Sequence, residues 1–334
     1  MNVLVTGASG FIGSFLVEEA VRRGMTAWAG VRATSSRAYL RDEHIHFATL
    51  NLDKKDLLRE QLREHRDRYG KWDYIIHCAG VTKCRNKADF DRINYDSTRS
   101  FVDLLTELDM VPRQFIYISS LSVYGPVHEK DYRPITENDE PKPDTAYGLS
   151  KLKSERYIKS LADFPYVIFR PTGVYGPRER DYFMMAQSVK RHVDVAVGFR
   201  RQVITFIYVK DLVQAVYRAI DKGVVRREYF VSDGFNYDSR AFSDLLQKEL
   251  GVRTVVHITF PLFVLKTVSV IAEFVSACLG KSSTLNRDKY KIMKQRNWQC
   301  DIAPLVDELG FKPEYDLARG VKESIAWYKK EKWL

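Results

Sequence analysis

At 334 residues the chain is long enough to bury a large core, either as one α/β domain or as a main domain with a smaller one. Its 45% hydrophobic and 29% charged content is that of a soluble globular protein. The net charge of +10 comes from scattered Lys and Arg without an RNA-binding or zinc-finger motif, which argues against a nucleic-acid partner and leaves a solvated basic surface.

Val3–Thr6 is a short apolar run, read as a buried parallel strand. A strand this close to the N-terminus leaves no signal peptide in the sequence, and a cytoplasmic setting is expected. Gly7, Gly10 and Gly13 follow at G-x-x-G-x-x-G spacing, and Phe11–Arg23 then carries apolar residues at helical spacing up to Gly24. Strand, tight glycine turn and helix make a dinucleotide-binding unit. A pyrophosphate must approach bare backbone there and lie on the N–H groups that open the helix. Thr26–Val31 reads as the second strand, followed by Arg32, Ser35, Ser36 and Arg37 with no carboxylate before Asp42. NAD-preferring sites place an acid here for the ribose 2′-hydroxyl. A cation among hydroxyls instead favours a 2′-phosphate and NADP, with NAD as the alternative if Arg32 only stacks on adenine or is solvated.

His46–Leu50 is the third strand, running into Asn51 and Leu52, and Asp56–Tyr69 is a charged helix. Tyr74–His77 is the fourth strand and leads into Cys78, Ala79 and Gly80, small residues that let a cofactor lie close. His77 invites a role as a base, although its place inside a buried strand favours a core histidine. Cys78 has no charged partner near in sequence and reads as a packing residue. The four cysteines form no metal-ligand spacing, so a reduced compartment and no metal are expected. Phe90–Leu108 reads as a long helix carrying Asn94. Gln114–Ile118 is the fifth strand, ending in S-S-L-S-V-Y-G at residues 119–125. A polar loop with Pro126, Pro134, Pro141 and Pro143 reaches Tyr147 and Lys151 on a helix to Leu161. Tyr166–Arg170, Gln202–Tyr208 and Glu228–Ser232 read as strands and Val209–Asp221 as a helix. Val255–Leu279 is apolar but interrupted by His257, Pro261, Lys266 and Glu273, so it is not a spanning segment. It reads as a core helix of a substrate domain, with an apolar substrate entrance or a membrane-touching surface as the alternative.

Ser120, Tyr147 and Lys151 carry the chemistry. Tyr147 and Lys151 stand four apart and share a helix face. A free phenol titrates near ~10, and a neighbouring ammonium lowers that value towards working pH. A serine hydroxyl at the adjacent strand end can donate to a substrate oxygen as charge develops. Together these groups suit the movement of a hydride and a proton between a secondary alcohol or ketone and a nicotinamide.

The glycine motif T-G-x-x-G-F-I-G, the S-S-x-x-V-Y-G segment and Y-x-x-x-K resemble the extended short-chain dehydrogenases, also described as the NAD-dependent epimerase/dehydratase family. The resemblance implies a Rossmann-type doubly wound parallel sheet with a smaller substrate domain. It divides the chain into residues 1–172 and 205–234 for the cofactor and 173–204 and 235–334 for the substrate. It also implies that Phe11 and Ile12 offer N–H groups to pyrophosphate, Asn51 and Leu52 contact adenine, and Asn94 braces the active-site backbone. Pro171, Thr172 and Val174 would flank the nicotinamide, and a homodimer would form through the helices bearing Asn94 and Tyr147. Trp298–Pro313 resembles the family's closing segment.

Departures from the family narrow the activity. No acid follows Ser120, which disfavours a dehydratase. Ile204 stands where nucleotide-sugar epimerases carry an Arg for the diphosphate, although Arg200 and Arg201 are near. The R-P-T-G-V-Y-G-P form at 170–177 is similar to 3β-hydroxysteroid dehydrogenase and dihydroflavonol reductase relatives. The expected function is therefore NADP-linked interconversion of an alcohol and a ketone on an apolar or amphiphilic small molecule. A nucleotide-sugar epimerase and a non-catalytic cofactor-binding sensor are the alternatives.

Overall fold

The structure, a computed structural model, describes residues 1–84, 86–278 and 287–334. Seven strands form one sheet. They are β1 (Asn2–Thr6), β2 (Thr26–Val31), β3 (His46–Thr49), β4 (Tyr74–His77), β5 (Gln114–Ile118), β6 (Tyr166–Pro171) and the edge strand Arg227–Val231. Their order is β3-β2-β1-β4-β5-β6-edge, and the pairings from β3 through β6 are parallel. Continuous apolar runs such as Val3–Val5 and Phe115–Ile118 suit strands covered on both faces. The strand order reverses between β1 and β4, which places the crevice for a ligand at their carboxyl ends.

The chain divides into two compact units. The first comprises residues 1–123, 146–170 and 213–229. On one sheet face Leu58 and Leu62 of α2 (Lys55–Tyr69) join Phe101 and Leu105 of the helix Ser97–Glu107. They pack on Trp72, Phe115 and Ile168. On the helix α1 (Phe11–Arg22), the Leu16 carbonyl accepts from Tyr217 Oη at 2.7 Å, tying the helix Val209–Lys222 to it.

The second unit comprises residues 124–145, 171–212 and 230–334. Its core is aromatic, built on Tyr175, Phe206, Phe242, Tyr315 and Tyr328. The expected single strand Gln202–Tyr208 is two strands, Val203–Ile204 and Phe206–Tyr208, with different partners. They divide at Thr205, whose hydroxyl donates to the Trp298 carbonyl at 2.6 Å. The buried Asp211 carboxylate accepts the backbone N–H groups of Glu314 and Tyr315, each at 3.0 Å, and so anchors the C-terminal segment.

Val255–Leu279 is not one core helix. Val256–Phe260, alternating and β-branched, forms a strand paired in parallel with Val193–Val197. Pro261 has no N–H for a ladder and ends it, and the helix Leu262–Cys278 follows. Much of this stretch is exposed: Val256, Ile258, Phe260, Phe263, Val268 and Ile271 all face solvent. Residues 279–286 of the sequence lie outside the described residues.

Candidate active site

The site in the first unit starts from its glycines. The chain leaves β1 at Gly7 with φ +66°, and a Cβ there would lie 2.8 Å from the Ala79 backbone. A Cβ on Gly13 would collide with the Gly7 carbonyl. The ends of β1 and β4 and the start of α1 therefore close on one another over bare backbone. Gly10 caps α1 with no side-chain hydrogen bond, so the first turn, including Phe11 and Ile12, presents N–H groups to an anion rather than to its own side chains. These residues fit a dinucleotide pyrophosphate.

Asn94 does not sit in a regular helix. The expected helix Phe90–Leu108 is a short turn Ala88–Phe90, a π-helical turn Asp91–Asp96 and the helix Ser97–Glu107. Such a turn re-aims side chains. Buried Asn94 accepts the Val81 N–H at Oδ1 (2.8 Å), and its Nδ2 donates to the Val81 carbonyl (3.1 Å) and to Ser150 Oγ (3.0 Å). Ser150 in turn donates to the Tyr147 carbonyl at 2.8 Å. One amide thus joins the loop beyond β4 to the helix Ala146–Ser160 that carries Tyr147 and Lys151.

His77 is held in a directional chain. Thr98 Oγ1 donates to the Asn94 carbonyl at 2.6 Å, so it accepts from His77 Nε2 at 3.0 Å. His77 Nδ1 then accepts from Thr6 Oγ1 at 2.9 Å, which itself accepts the Ala79 N–H at 3.3 Å. The ring is stacked near Phe101, Phe115 and Tyr117, and burial followed by the Lys151 charge holds its pKa down at about 3. A neutral imidazole with both nitrogens engaged is a core element and not a base. Burial likewise pushes the Cys78 thiol up to about 11, so it is no thiolate nucleophile.

Ser120 follows β5 and accepts the Ser122 N–H at 3.1 Å. Burial pushes the Tyr147 phenol up to about 12, against an opposing pull from Ser120. Lys151 is buried. Its ammonium donates to the Ile118 carbonyl at 2.9 Å and lies 4.7 Å from the Tyr117 ring centroid. Burial lowers it to about 8, against opposing pulls from Cys78 and Glu155. Gly80 faces the same corner, since a Cβ on it would meet Asn94 Oδ1 at 3.0 Å and Lys151 Nζ at 3.4 Å. At neutral pH the pair is phenol and ammonium, the protonation state that donates.

The remaining candidates are more peripheral. Arg32 is exposed, and its N–H donates to Ser35 Oγ at 3.1 Å, while the Arg37 guanidinium lies over Phe47 at 4.0 Å. The Asn51 N–H donates to Gln61 Oε1 at 2.9 Å, and Leu52 packs on the core. Pro171, Thr172 and Val174 belong to the second unit. There the Thr172 N–H donates to the Val231 carbonyl at 3.1 Å and Val174 pairs with Ile207.

Sequence reasoning missed the support behind Lys151. One turn further along its helix, buried Glu155 takes Arg170 Nε at 3.1 Å on each oxygen and Arg170 Nη2 at 2.7 Å. Arg170 also bonds Glu228, which pairs with Lys159. The partners lie 15 and 58 residues from Arg170, too far apart for any local pattern to reveal.

A Rossmann sheet, an uncapped glycine turn and the residues Ser120, Tyr147 and Lys151 thus lie together in one unit. The sequence profile of the NAD dependent epimerase/dehydratase family matches residues 3–232. The chain belongs to this family. It is 25% identical to a putative UDP-glucose 4-epimerase of Methanocaldococcus jannaschii, over 98% of each chain. It is 23% identical to a ceramide reductase of Caulobacter vibrioides, over 99% of this chain and 96% of that one. The UDP-glucose 4-epimerase of Thermus thermophilus, solved as a complex with NAD, superposes with TM-score 0.78 at 19% identity, covering 98% of this chain and 99% of that one. Among the described residues no helix is long and apolar enough to cross a membrane.

Proposed function

We propose that the chain oxidises or reduces a single secondary carbinol or ketone carbon with a nicotinamide dinucleotide. A bound nicotinamide supplies or takes up the hydride. The chain supplies the proton and the orientation. Tyr147 Oη gives its proton to the substrate oxygen, Ser120 donates a hydrogen bond to that oxygen, and Lys151 stabilises the phenolate that remains. The observation that carries this reading is the buried Lys151 ammonium one turn beyond Tyr147 on the helix Ala146–Ser160, held by the Ile118 carbonyl at the end of β5, two residues before Ser120. Gly7, Gly10, Gly13, Phe11 and Ile12 would hold the pyrophosphate. Arg32, with Ser35 and Arg37, would take the 2′-phosphate of NADP. Asn94 would brace the site, and the protein would act as a homodimer.

For the substrate, the comparisons favour a nucleotide sugar, because UDP-glucose 4-epimerases recur among relatives and structural neighbours. An apolar or amphiphilic ketone is the second reading. It is supported by Ile204, an apolar residue where sugar-diphosphate enzymes place a cation, and by the likeness to a ceramide reductase. Incubation with UDP-glucose and with a long-chain amino-ketone, following NADPH and NADH absorbance and sugar products by chromatography, separates them. Epimerised sugar without net cofactor change supports the first, and stoichiometric NADPH oxidation with the ketone supports the second. Activity on neither class, with cofactor bound, would favour a sensor.

A further inference from the structure

The second unit turns an apolar surface outward between residues 256 and 271. In the ribbon of Val256–Phe260 and Val193–Val197, the register sets Val256, Ile258 and Phe260 on the same side as Val195, and all four are exposed. The other side carries Asp194, whose buried carboxylate accepts from Ser243 Oγ at 3.1 Å and pairs with His257 Nδ1 at 3.0 Å. The buried Asp194 faces Ser243 of the helix Ala241–Leu250, while Val195, Val256, Ile258 and Phe260 on the opposite side of the ribbon face water and Val197 on that side is buried. The helix Leu262–Cys278 continues the chain and exposes Phe263 (71%), Ile271 (56%) and Val268 (45%). Contiguous apolar exposure of this kind marks an interaction surface.

Its flanks are basic. Residues 251–278 and 287–296 contain seven Lys and Arg against two acids; Lys289 pairs with Asp181, Arg296 with Glu129, and Lys291 donates to the Asp144 carbonyl. Lys266 is exposed on the apolar helix itself, and the basic helix Arg287–Lys294 packs beside that helix. We propose that this surface docks on an anionic lipid bilayer, its apolar side chains entering the interface and the exposed Arg253, Lys266 and Lys294 meeting the headgroups. The charge favours lipid over a second copy, because a two-fold contact through this patch would set the same basic segments against one another. The protein lies on such a surface rather than through it. The inference is independent of which substrate the site takes.

Flotation of the full chain tests it, with vesicles of phosphatidylcholine mixed with phosphatidylglycerol against vesicles of phosphatidylcholine alone. The wild type is expected to float with the mixed vesicles, and less at high salt. Phe260→Ser/Phe263→Ser/Ile271→Ser should weaken that binding by about tenfold or more, and Arg253→Glu/Lys266→Glu should remove the preference for phosphatidylglycerol. All the altered side chains are exposed, so circular dichroism and cofactor binding should match the wild type. A wild type that stays unbound with both vesicles, or a triple serine variant that floats as well as the wild type, overturns the proposal. So does a lipid-free dimer that the triple substitution converts to monomer, which would make the patch a contact between copies.

Discussion

Arg170→Met should destabilise the first unit and do so in a pH-dependent way. Methionine keeps the length of the aliphatic stem and deletes only the charged fork. In the wild type that fork makes three contacts of 2.7–3.1 Å to Glu155 and a further bond to Glu228, with Arg170 only 3% exposed. Removing one partner of a buried ion pair costs about 3–5 kcal/mol, because the other charge is left unpaired. Lys159 still neutralises Glu228, so the lower end, roughly 3 kcal/mol at neutral pH, is expected. Burial pushes Glu228 up, but Arg170 and Lys159 outweigh it and hold the carboxyl below its ordinary value of 4.5. A carboxylate held low contributes stability above the unfolded-state value and loses it as pH falls through the folded one. In the variant the Glu228 carboxyl binds a proton more readily, so the deficit relative to wild type should shrink on going from about pH 7 to about pH 5. Urea melts at the two pH values provide the measurement, and Arg170→Met/Glu155→Gln should recover part of the loss. A deficit under about 1 kcal/mol, or one equal at both pH values, would refute the assignment of Arg170 as the counter-charge that seats the Lys151 helix.

Tyr147→Phe should bind cofactor like the wild type in a fluorescence titration and lose about a hundredfold to ten-thousandfold in single-turnover hydride transfer; wild-type rates would sink the proton-transfer role. Lys151 is lowered to about 8, so ketone reduction should fall as pH rises through that value and the ammonium is lost. Lys151→Met should lower the rate and abolish this alkaline limb in a pH–rate profile. Arg32→Asp should shift preference from NADPH towards NADH by supplying an acceptor for the 2′-hydroxyl, and tighter wild-type binding of NADH than NADPH in calorimetry would defeat the argument. Sedimentation velocity should show a dimer at micromolar concentration, weakened by Leu149→Lys on the exposed face of the tyrosine helix. A wild type that is monomeric throughout would contradict a contact through that helix.

The glycine turn, the first six strands and the Tyr147–Lys151 spacing were legible because each is a local matter of backbone freedom, period or helix face. The π turn at Asp91–Asp96 was not, because it depends on Asn94 reaching Val81 and Ser150, 13 and 56 residues away. The same holds for the hydrogen-bond chain that fixes His77. The stretch 256–260 did carry a signal, since Val, Ile and Phe alternate with His and Thr at the period of a strand. Hydrophobicity alone does not say which side of that strand is covered, and here Asp194 claims the inner one.

Neither compact unit is a continuous length of chain, and each is assembled from three pieces. The boundary at 170/171 falls within β6, the one at 212/213 within the helix Val209–Lys222, and the one at 229/230 within the edge strand. During synthesis the first unit cannot close its sheet until residue 229 has left the ribosome, and residues 124–145 must wait for Gln295, Arg296 and Asn297, which bond Gly125, Glu129 and Val127. Truncation at any of these points would cut a strand or a helix in two. The protein is therefore a poor subject for dissection into separately expressed halves, and single substitutions in the intact chain are the better route to its parts.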